Sequence, residues 1–448
     1  MNAIVRIFNY RFYVKEILLV FATYLLMEGI FSWLFIPVSL IVLAYEKGLS
    51  LLIYGFMLYS YLKLKRDERI YVGLFTIFIL KLVFESLFEY GTPVRQFTMF
   101  TVLYPVIFVV FIKYVCREYE LDLLEFIAKF YLATYIAFMA IYGHQFSLSL
   151  DAIEMNDYGP FSGDGRIIHA RSVFMLIIPL VWFLHQYTLR KKLITLLIIL
   201  LCATAIIMHQ HRSVWSSALV ALMLYGYISI RNNKSVTGRF FSIFMGSLMM
   251  LLVVYFFVSN LYPQLVEFLG DRFSDIFNPS KEGSTGNFRI AQREVYFKMF
   301  LDRPFFGWTN QGFEMDNPLV DWWPKNSGQH FHETYMEILF YHGLAGFFLK
   351  FSFLFYLLYN MFSRKLSQES IILLSVCIAG MVFAFNYVLP LVYWGHVGLC
   401  LYYIEKDKLR FIEKPDTSSD LEIFKPELRV LQERSTNKYL PSTNYKDI

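Results

Sequence analysis

Three short stretches of this chain gather side chains that can grip an anion or move a proton. The first is His209-Gln210-His211-Arg212-Ser213, with a second string of the same kind at His169-Ala170-Arg171-Ser172. Each places a guanidinium, with its five donors, at the end of an apolar run. The structural alternative is an arginine that snorkels to an interface and only anchors its helix. The second stretch runs from Asn287 to Tyr296, and its apolar spacing predicts a helix reaching about Phe300 and stopping at Arg303-Pro304. Arg289, Arg293 and Tyr296 then share one face at i, i+4 and i+7, where two like charges repel unless an anion or a carboxylate neutralises them. A diphosphate taken bidentately by guanidinium would do so; so would Glu294, Asp302 or another loop carboxylate. The third is His330-Phe331-His332-Glu333-Thr334-Tyr335-Met336-Glu337. A neutral His332 there can accept a proton from a hydroxyl, oriented by Glu333 or Glu337, or it can be a satisfied structural histidine. Helical zinc ligands pair at i, i+4, a spacing that only Glu333 and Glu337 have here, and no cysteine is close, so no metal site is expected.

The elements that must position these groups are membrane spans. Of 448 residues 57% are hydrophobic and only 17% charged, with a mean hydropathy of +0.46, far from the composition of a soluble domain. Runs such as Leu193–Ile207 do not alternate as the strands of a barrel must. The expected fold is an all-α polytopic membrane protein of about twelve transmembrane helices. The spans fall at 17–43, 48–64, 70–88, 98–115, 121–143, 168–187, 193–208, 213–230, 240–262, 334–361, 370–386 and 388–404. Seventeen lysines and arginines flank the spans on the N-terminal side against five opposite, which puts both termini in the cytoplasm.

The division expected is a transmembrane domain over residues 1–404, with one long external loop at 263–332 between the ninth and tenth spans, and a solvated cytoplasmic tail at 405–448. A loop of that length argues for function. It carries Trp308, Trp322 and Trp323, while a second external segment at 143–167 is acidic and glycine-rich. The four cysteines lack paired spacing and read as small core residues. No cleavable leader is expected, because the first apolar stretch resumes with no small-residue cleavage site. Among charges inside spans, Lys81–Glu85 and Glu125–Lys129 can pair at i, i+4, whereas Glu28 and Lys350 have no evident partner and are functional candidates by position.

Taken in order, the three stretches resemble the O-antigen ligase and O-antigen polymerase family. His211-Arg212-Ser213 at the start of a span is similar to its Ser/Thr-Arg element. Gly286-Asn287-Phe288-Arg289, followed by Phe300-Leu301-Asp302-Arg303-Pro304-Phe305-Phe306-Gly307, is similar to its arginine, helix and proline-glycine turn. His332-Glu333-Thr334-Tyr335-Met336-Glu337-Ile338-Leu339, then His342-Gly343-Leu344-Ala345-Gly346, resembles its His-Asn-x-x-Leu run ending in Gly-Leu-x-Gly. The motifs cover residues 200–350. Three positions depart: His211 replaces Ser/Thr, Glu333 replaces the usual asparagine, and Arg293 stands where an aromatic residue is frequent. Glu333 is expected to make the site more acidic and to raise the pKa of His332.

The resemblance implies a GT-C-like, metal-independent glycosyltransferase of the bacterial inner membrane, its active site facing the periplasm. It implies en bloc transfer of a glycan from undecaprenyl diphosphate to an acceptor hydroxyl, on lipid A–core for a ligase or on a second lipid-linked glycan for a polymerase, with ligase slightly preferred. No cofactor and no nucleic acid is implied. His332 would be the general base, and Arg212 and Arg289 would hold the diphosphate. Arg293, His330, Glu333, Tyr335, Arg303 and Arg171 would line the substrate. A transporter for an anionic lipid or small anion is the main rival from another class; it needs a polar path to the cytoplasmic side, and few mid-span residues offer one.

Overall fold

The apolar run from Pro105 to Ile112 has no polar face, and a helix hydrophobic all round belongs at the centre of a bundle. In the computed structural model it does: every residue from 105 to 116 is buried. The structure describes residues 4–7, 10–27, 48–143, 168–233, 285–321, 324–363 and 365–413, with scattered positions between 238 and 278. A short antiparallel hairpin opens the chain, β1 (Ile4–Ile7) on β2 (Tyr10–Tyr13) with Arg6 opposite Arg11. It is a small departure from the all-helical expectation. Helices α1 (Val14–Leu25), α2 (Ser50–Tyr59), α3 (Arg66–Tyr90), α4 (Thr98–Leu103) and α5 (Pro105–Glu118) follow. Next come α6 (Leu124–Tyr142), α7 (Ala170–Met175), α8 (Ile177–Leu189), α9 (Leu193–Met208) and α10 (Arg212–Asn232). The chain continues with α11 (Thr285–Asp302), α12 (Thr309–Glu314), α13 (Thr334–Ser363), α14 (Gln368–Phe383) and α15 (Leu391–Glu413).

Among the described residues five helical stretches are long and apolar enough to cross a membrane: Arg66–Tyr90, Leu124–Tyr142, Ala170–Leu189, Arg212–Asn232 and Thr334–Phe362. Shorter apolar helices are Ser50–Tyr59, Leu193–Met208 and Gln368–Phe383. The expected spans 17–43 and 240–262 lie largely outside the described residues, as do Glu28, the segment 144–167, Trp322, Trp323 and the tail beyond 413.

Among the described residues two expected spans are broken at a proline or a glycine, besides the one-residue interruption at Leu176 between α7 and α8. The 98–115 span divides into α4 and α5 at Pro105, which has no N–H for the helical ladder. Lys350 uses the break: its Nζ donates to the Val102 carbonyl at 3.0 Å and lies 5.3 Å from the Trp394 ring centroid. The lysine thus has partners that its sequence neighbourhood did not reveal. The 334–361 span divides at Gly343 (φ 60°, ψ −162°) into arms 334–342 and 344–363. The backbone of the Pro304–Gly307 turn enters there, with Leu344 N donating to Pro304 O at 2.8 Å and Ala345 N to Phe305 O at 3.0 Å.

Close packing and ion pairs tie the bundle together. Helix α15 crosses α5 at Gly398, where a Cβ would lie 2.5 Å from the Val109 carbonyl; small residues permit such backbone approach. At one end, Lys113 Nζ meets Asp67 at 2.8 Å, Glu68 at 3.3 Å and Glu405 at 3.0 Å, while Arg117 grips Glu68. This cluster joins α3, α5 and α15 and draws residues 405–413, expected in the tail, into the last helix. Asp407 adds to it by accepting from Ser367 N and from the Ser370 hydroxyl at the start of α14. At its far end α3 meets α12, Glu85 accepting from Thr309 and Glu89 from Gln311. Lys81–Glu85 and Glu125–Lys129 form the expected i, i+4 pairs, and all four cysteines are buried and free.

Candidate active site

Helix α11 forms over the span its apolar spacing predicts and ends at Asp302, just before Arg303-Pro304. The face carrying Arg289, Arg293 and Tyr296 turns toward the chain from Gln329 to Thr334 and the loop from Ala384 to Leu389. Tyr296 donates to Gln329 Oε1 at 2.6 Å. Gln292, 2% exposed, lies on the same face, and its side-chain amide works like one rung of a sheet. Its Nε2 donates to His330 O at 2.5 Å and its Oε1 accepts from His332 N at 3.1 Å. The backbone on both sides of Phe331 is thereby fixed, and His332 is aimed from a rigid support.

Thr334 closes the arrangement from the other side. Its N donates to Ala384 O at 3.0 Å, its hydroxyl donates to Tyr387 O at 2.9 Å, and the same hydroxyl accepts from Leu389 N at 2.8 Å. That brings Asn386 and Tyr387 to Arg289, whose Nη1 lies 3.3 Å from Asn386 Oδ1 and whose Cζ lies 5.3 Å from the Tyr387 ring centroid. The Nε of Arg289 is buried with no partner among the described residues, and so is the Nε of Arg171. His169 caps α7 by accepting from Arg171 N at 3.3 Å, and its ring meets the edge of Tyr387 at 5.8 Å.

The imidazole of His332 is half-buried, edge-on to Phe288 at 5.8 Å and 4.5 Å from the His330 ring. It makes no hydrogen bond among the described residues. Burial, and then electrostatic repulsion from His330, Arg289 and Arg171, hold its pKa down at about 4. Burial lowers His330 as well. His332 is therefore neutral at physiological pH. This reverses the expected upward shift, because Glu333 does not serve His332. Its carboxylate is held by Arg293, with Nε at 3.1 Å from one oxygen and Nη2 on the other. Burial still pushes Glu333 upward despite that partner.

Arg293 and Glu333, two of the three departures from the family pattern, thus compensate one another. Arg293 has its loop carboxylate, whereas Arg289 keeps its charge for something else.

The remaining expected site residues take other places. Arg212 begins α10, beside α7, where His211 Nε2 lies 2.8 Å from Ile168 O. His209 meets the Tyr135 hydroxyl at 3.1 Å, and Gln210 turns the chain at φ 55°. Both histidines around Gln210 hold the turn that presents Arg212. Tyr335 donates its hydroxyl to Met381 O at 2.7 Å and stacks on Phe351. Arg303 lies on the Trp308 ring at 4.2 Å, in the turn that packs into the Gly343 break. At Gly307 a Cβ would come 2.5 Å from Phe340 O, which explains the glycine that ends that turn. Gln292, Asn386 and Tyr387 escaped the sequence reading. A lone polar residue on a helix face and an Asn-Tyr pair before a proline carry no chemical spacing.

No curated protein gives a match to this chain. Residues 197–351 match the family described as O-antigen ligase. That segment holds Arg212, Arg289, Gln292, Arg293, His332, Glu333 and the Gly343 break, while Arg171, Asn386 and Tyr387 reach the site from outside it. Through this match residues 197–351 are similar to the O-antigen ligase family, in line with the resemblance carried by the three motifs.

Proposed function

We propose that the protein is a glycosyltransferase of the bacterial inner membrane, acting at its periplasmic face with both termini cytoplasmic. It moves a glycan en bloc from undecaprenyl diphosphate to a hydroxyl of lipid A–core. The observation that carries this reading is the pair of buried, unpartnered guanidinium nitrogens on Arg289 and Arg171 beside a neutral His332. Two guanidinium groups suit a diphosphate leaving group, and a neutral imidazole suits a hydroxyl nucleophile.

In the proposed step His332 accepts the proton of the acceptor hydroxyl as its oxygen bonds to the anomeric carbon of the donor sugar. The bond from that carbon to the diphosphate oxygen breaks, and its electron pair leaves with the lipid diphosphate. Arg289, Arg171 and Arg212 meet the charge that grows on it, which is most of what such a site must supply. No divalent cation is needed for the leaving group on this reading. Binding the diphosphate also offsets the charges that depress His332, so the base strengthens when the donor is in place. Glu333, paired to Arg293, supports the wall of the site, and His330 packs against His332.

The test is reconstitution of the purified protein with a fluorescent glycan on undecaprenyl diphosphate and with lipid A–core, in chelator. A new glycosidic product on lipid A–core supports the proposal. Product only on a second lipid-linked glycan would make the protein a polymerase. Movement of the donor between leaflets without product would make it a transporter, and a strict requirement for added metal would overturn the arginine mechanism.

A further inference from the structure

The end of α3 that holds the ion-pair cluster has two faces with different fates. Asp67 and Glu68 turn inward to Lys113 and Arg117. Arg66 and Arg69 turn the other way, and among the described residues neither guanidinium meets a carboxylate. They begin a stripe at helical spacing, continuing through Ile70, Gly73, Leu74 and Ile77. Ile70, Leu74 and Ile77 are 52%, 43% and 62% exposed. Tyr61, in the turn before α3, lies over Gly73, its hydroxyl 3.9 Å from where a Cβ would be. The glycine leaves room that a side chain would fill. The result is an open groove of about 500 Å³ lined by Tyr61, Arg66, Arg69, Ile70, Gly73, Leu74 and Ile77.

The lining is ordered along α3. Two uncompensated arginines stand at the helix end, on the side where basic residues are concentrated. An apolar strip then runs on from Ile70 to Ile77, about 10 Å along the helix axis. A free anion would use the first part and leave the strip empty. A neutral lipid would use the strip and leave two cations unmatched. We propose that this groove is a binding site for one anionic phospholipid, its phosphate held by Arg66 and Arg69 and an acyl chain along Ile70, Gly73, Leu74 and Ile77. Guanidinium takes phosphate oxygens bidentately, and basic residues next to a span draw anionic headgroups. The site lies at the opposite end of α3 from its contact with α12, and so it does not depend on the proposed transfer reaction.

Native mass spectrometry of the full-length protein in detergent tests the proposal, with palmitoyl-oleoyl phosphatidylglycerol and the matching phosphatidylcholine as probes. The wild type should retain one phosphatidylglycerol in preference to phosphatidylcholine. Arg66→Gln with Arg69→Gln should lose about 25-fold in phosphatidylglycerol affinity, roughly fivefold for each cation and compounding across the two. Gly73→Leu should weaken the lipid while leaving both charges in place, which guards against a double variant that accumulates poorly. Equal retention of the two lipids by the wild type would overturn the site. So would glycerophosphoglycerol, the headgroup without chains, competing as well as the whole lipid. A photoactivatable phosphatidylglycerol should label the peptide spanning residues 61–77, and labelling confined to other helices would refute the placement.

Discussion

Arg293 on α11 holds Glu333, forty residues later in the chain, in a two-pronged ion pair in which the carboxylate is 3% exposed and the arginine 47% exposed. The pair joins the helix that carries Arg289 to the segment that carries His332. Arg293→Ala leaves the buried carboxylate without its cation, an outcome usually worse than losing both partners. Because the arginine is half in solvent, the expected cost is about 1–2 kcal/mol rather than the full buried-pair value. Glu333→Gln in the same background should restore part of it. Thermal melts of the four proteins in detergent give the cycle, and strict additivity would show that the pair does not couple the two elements.

His332→Ala should abolish transfer while leaving binding of the lipid-diphosphate donor nearly intact, since a general base acts in the transition state. The expected loss is about 10²–10⁴ in rate. His330→Ala should be milder. A glycan ladder on a gel, with donor binding measured separately, checks both. If His330→Ala is the inactive variant and His332→Ala the active one, the base has been assigned to the wrong histidine.

Arg289→Ala should lose donor affinity and rate together, by about 1.5–3 kcal/mol for a charge-assisted hydrogen bond. Arg171→Ala and Arg212→Ala should follow the same pattern. Lysine should rescue Arg289 only in part, because it keeps the charge without the bidentate fork. Titration with the lipid-diphosphate donor measures this, and unchanged affinity in all three variants would remove the arginines from the donor site.

The pH dependence follows from the depressed pKa of His332, about 4, against its ordinary value of 6.5. Between those values the folded protein binds fewer protons at this site than the unfolded chain, so acidification through that window destabilises the fold. For the reaction, the acid limb of kcat/KM should fall near pH 4 to 5, because the free enzyme must hold the base neutral. Arg289→Gln removes one of the depressing charges and should move that limb upward. A wild-type limb at 6.5, unmoved by Arg289→Gln, would contradict this electrostatic account.

Gly343→Ala should be among the most damaging single changes. The φ of 60° with ψ of −162° suits only glycine, and a Cβ would lie 2.5 Å from the Phe305 carbonyl carbon. Backbone strain and a clash with backbone together should cost about 3 kcal/mol or more. Gly55→Ala, whose Cβ would meet nothing within 4 Å, serves as the comparison. Accumulation in membranes and melting temperature measure both, and equal behaviour would mean that the turn does not seat in the break.

Local periodicity and composition were enough, in the sequence alone, to mark a helical membrane protein, the extent of α11, and the shared face of Arg289, Arg293 and Tyr296. Those properties depend on residues within a few turns of one another, where spacing translates directly into geometry. The i, i+4 charge pairs and the buried cysteines were legible for the same reason. Tertiary structure decided which of two like arginines keeps its charge, since Glu333 reaches Arg293 only through the packing of α11 on the 329–334 segment. It decided the break at Gly343 too: apolar spacing continues through 334–363, and only the backbone of the Pro304–Gly307 turn, brought from another part of the chain, takes the place of the helical bonds. It also set the direction of the His332 shift. The nearest carboxylate in sequence pointed upward, but burial and the charges of Arg289 and Arg171, brought in from two separate helices, push it down.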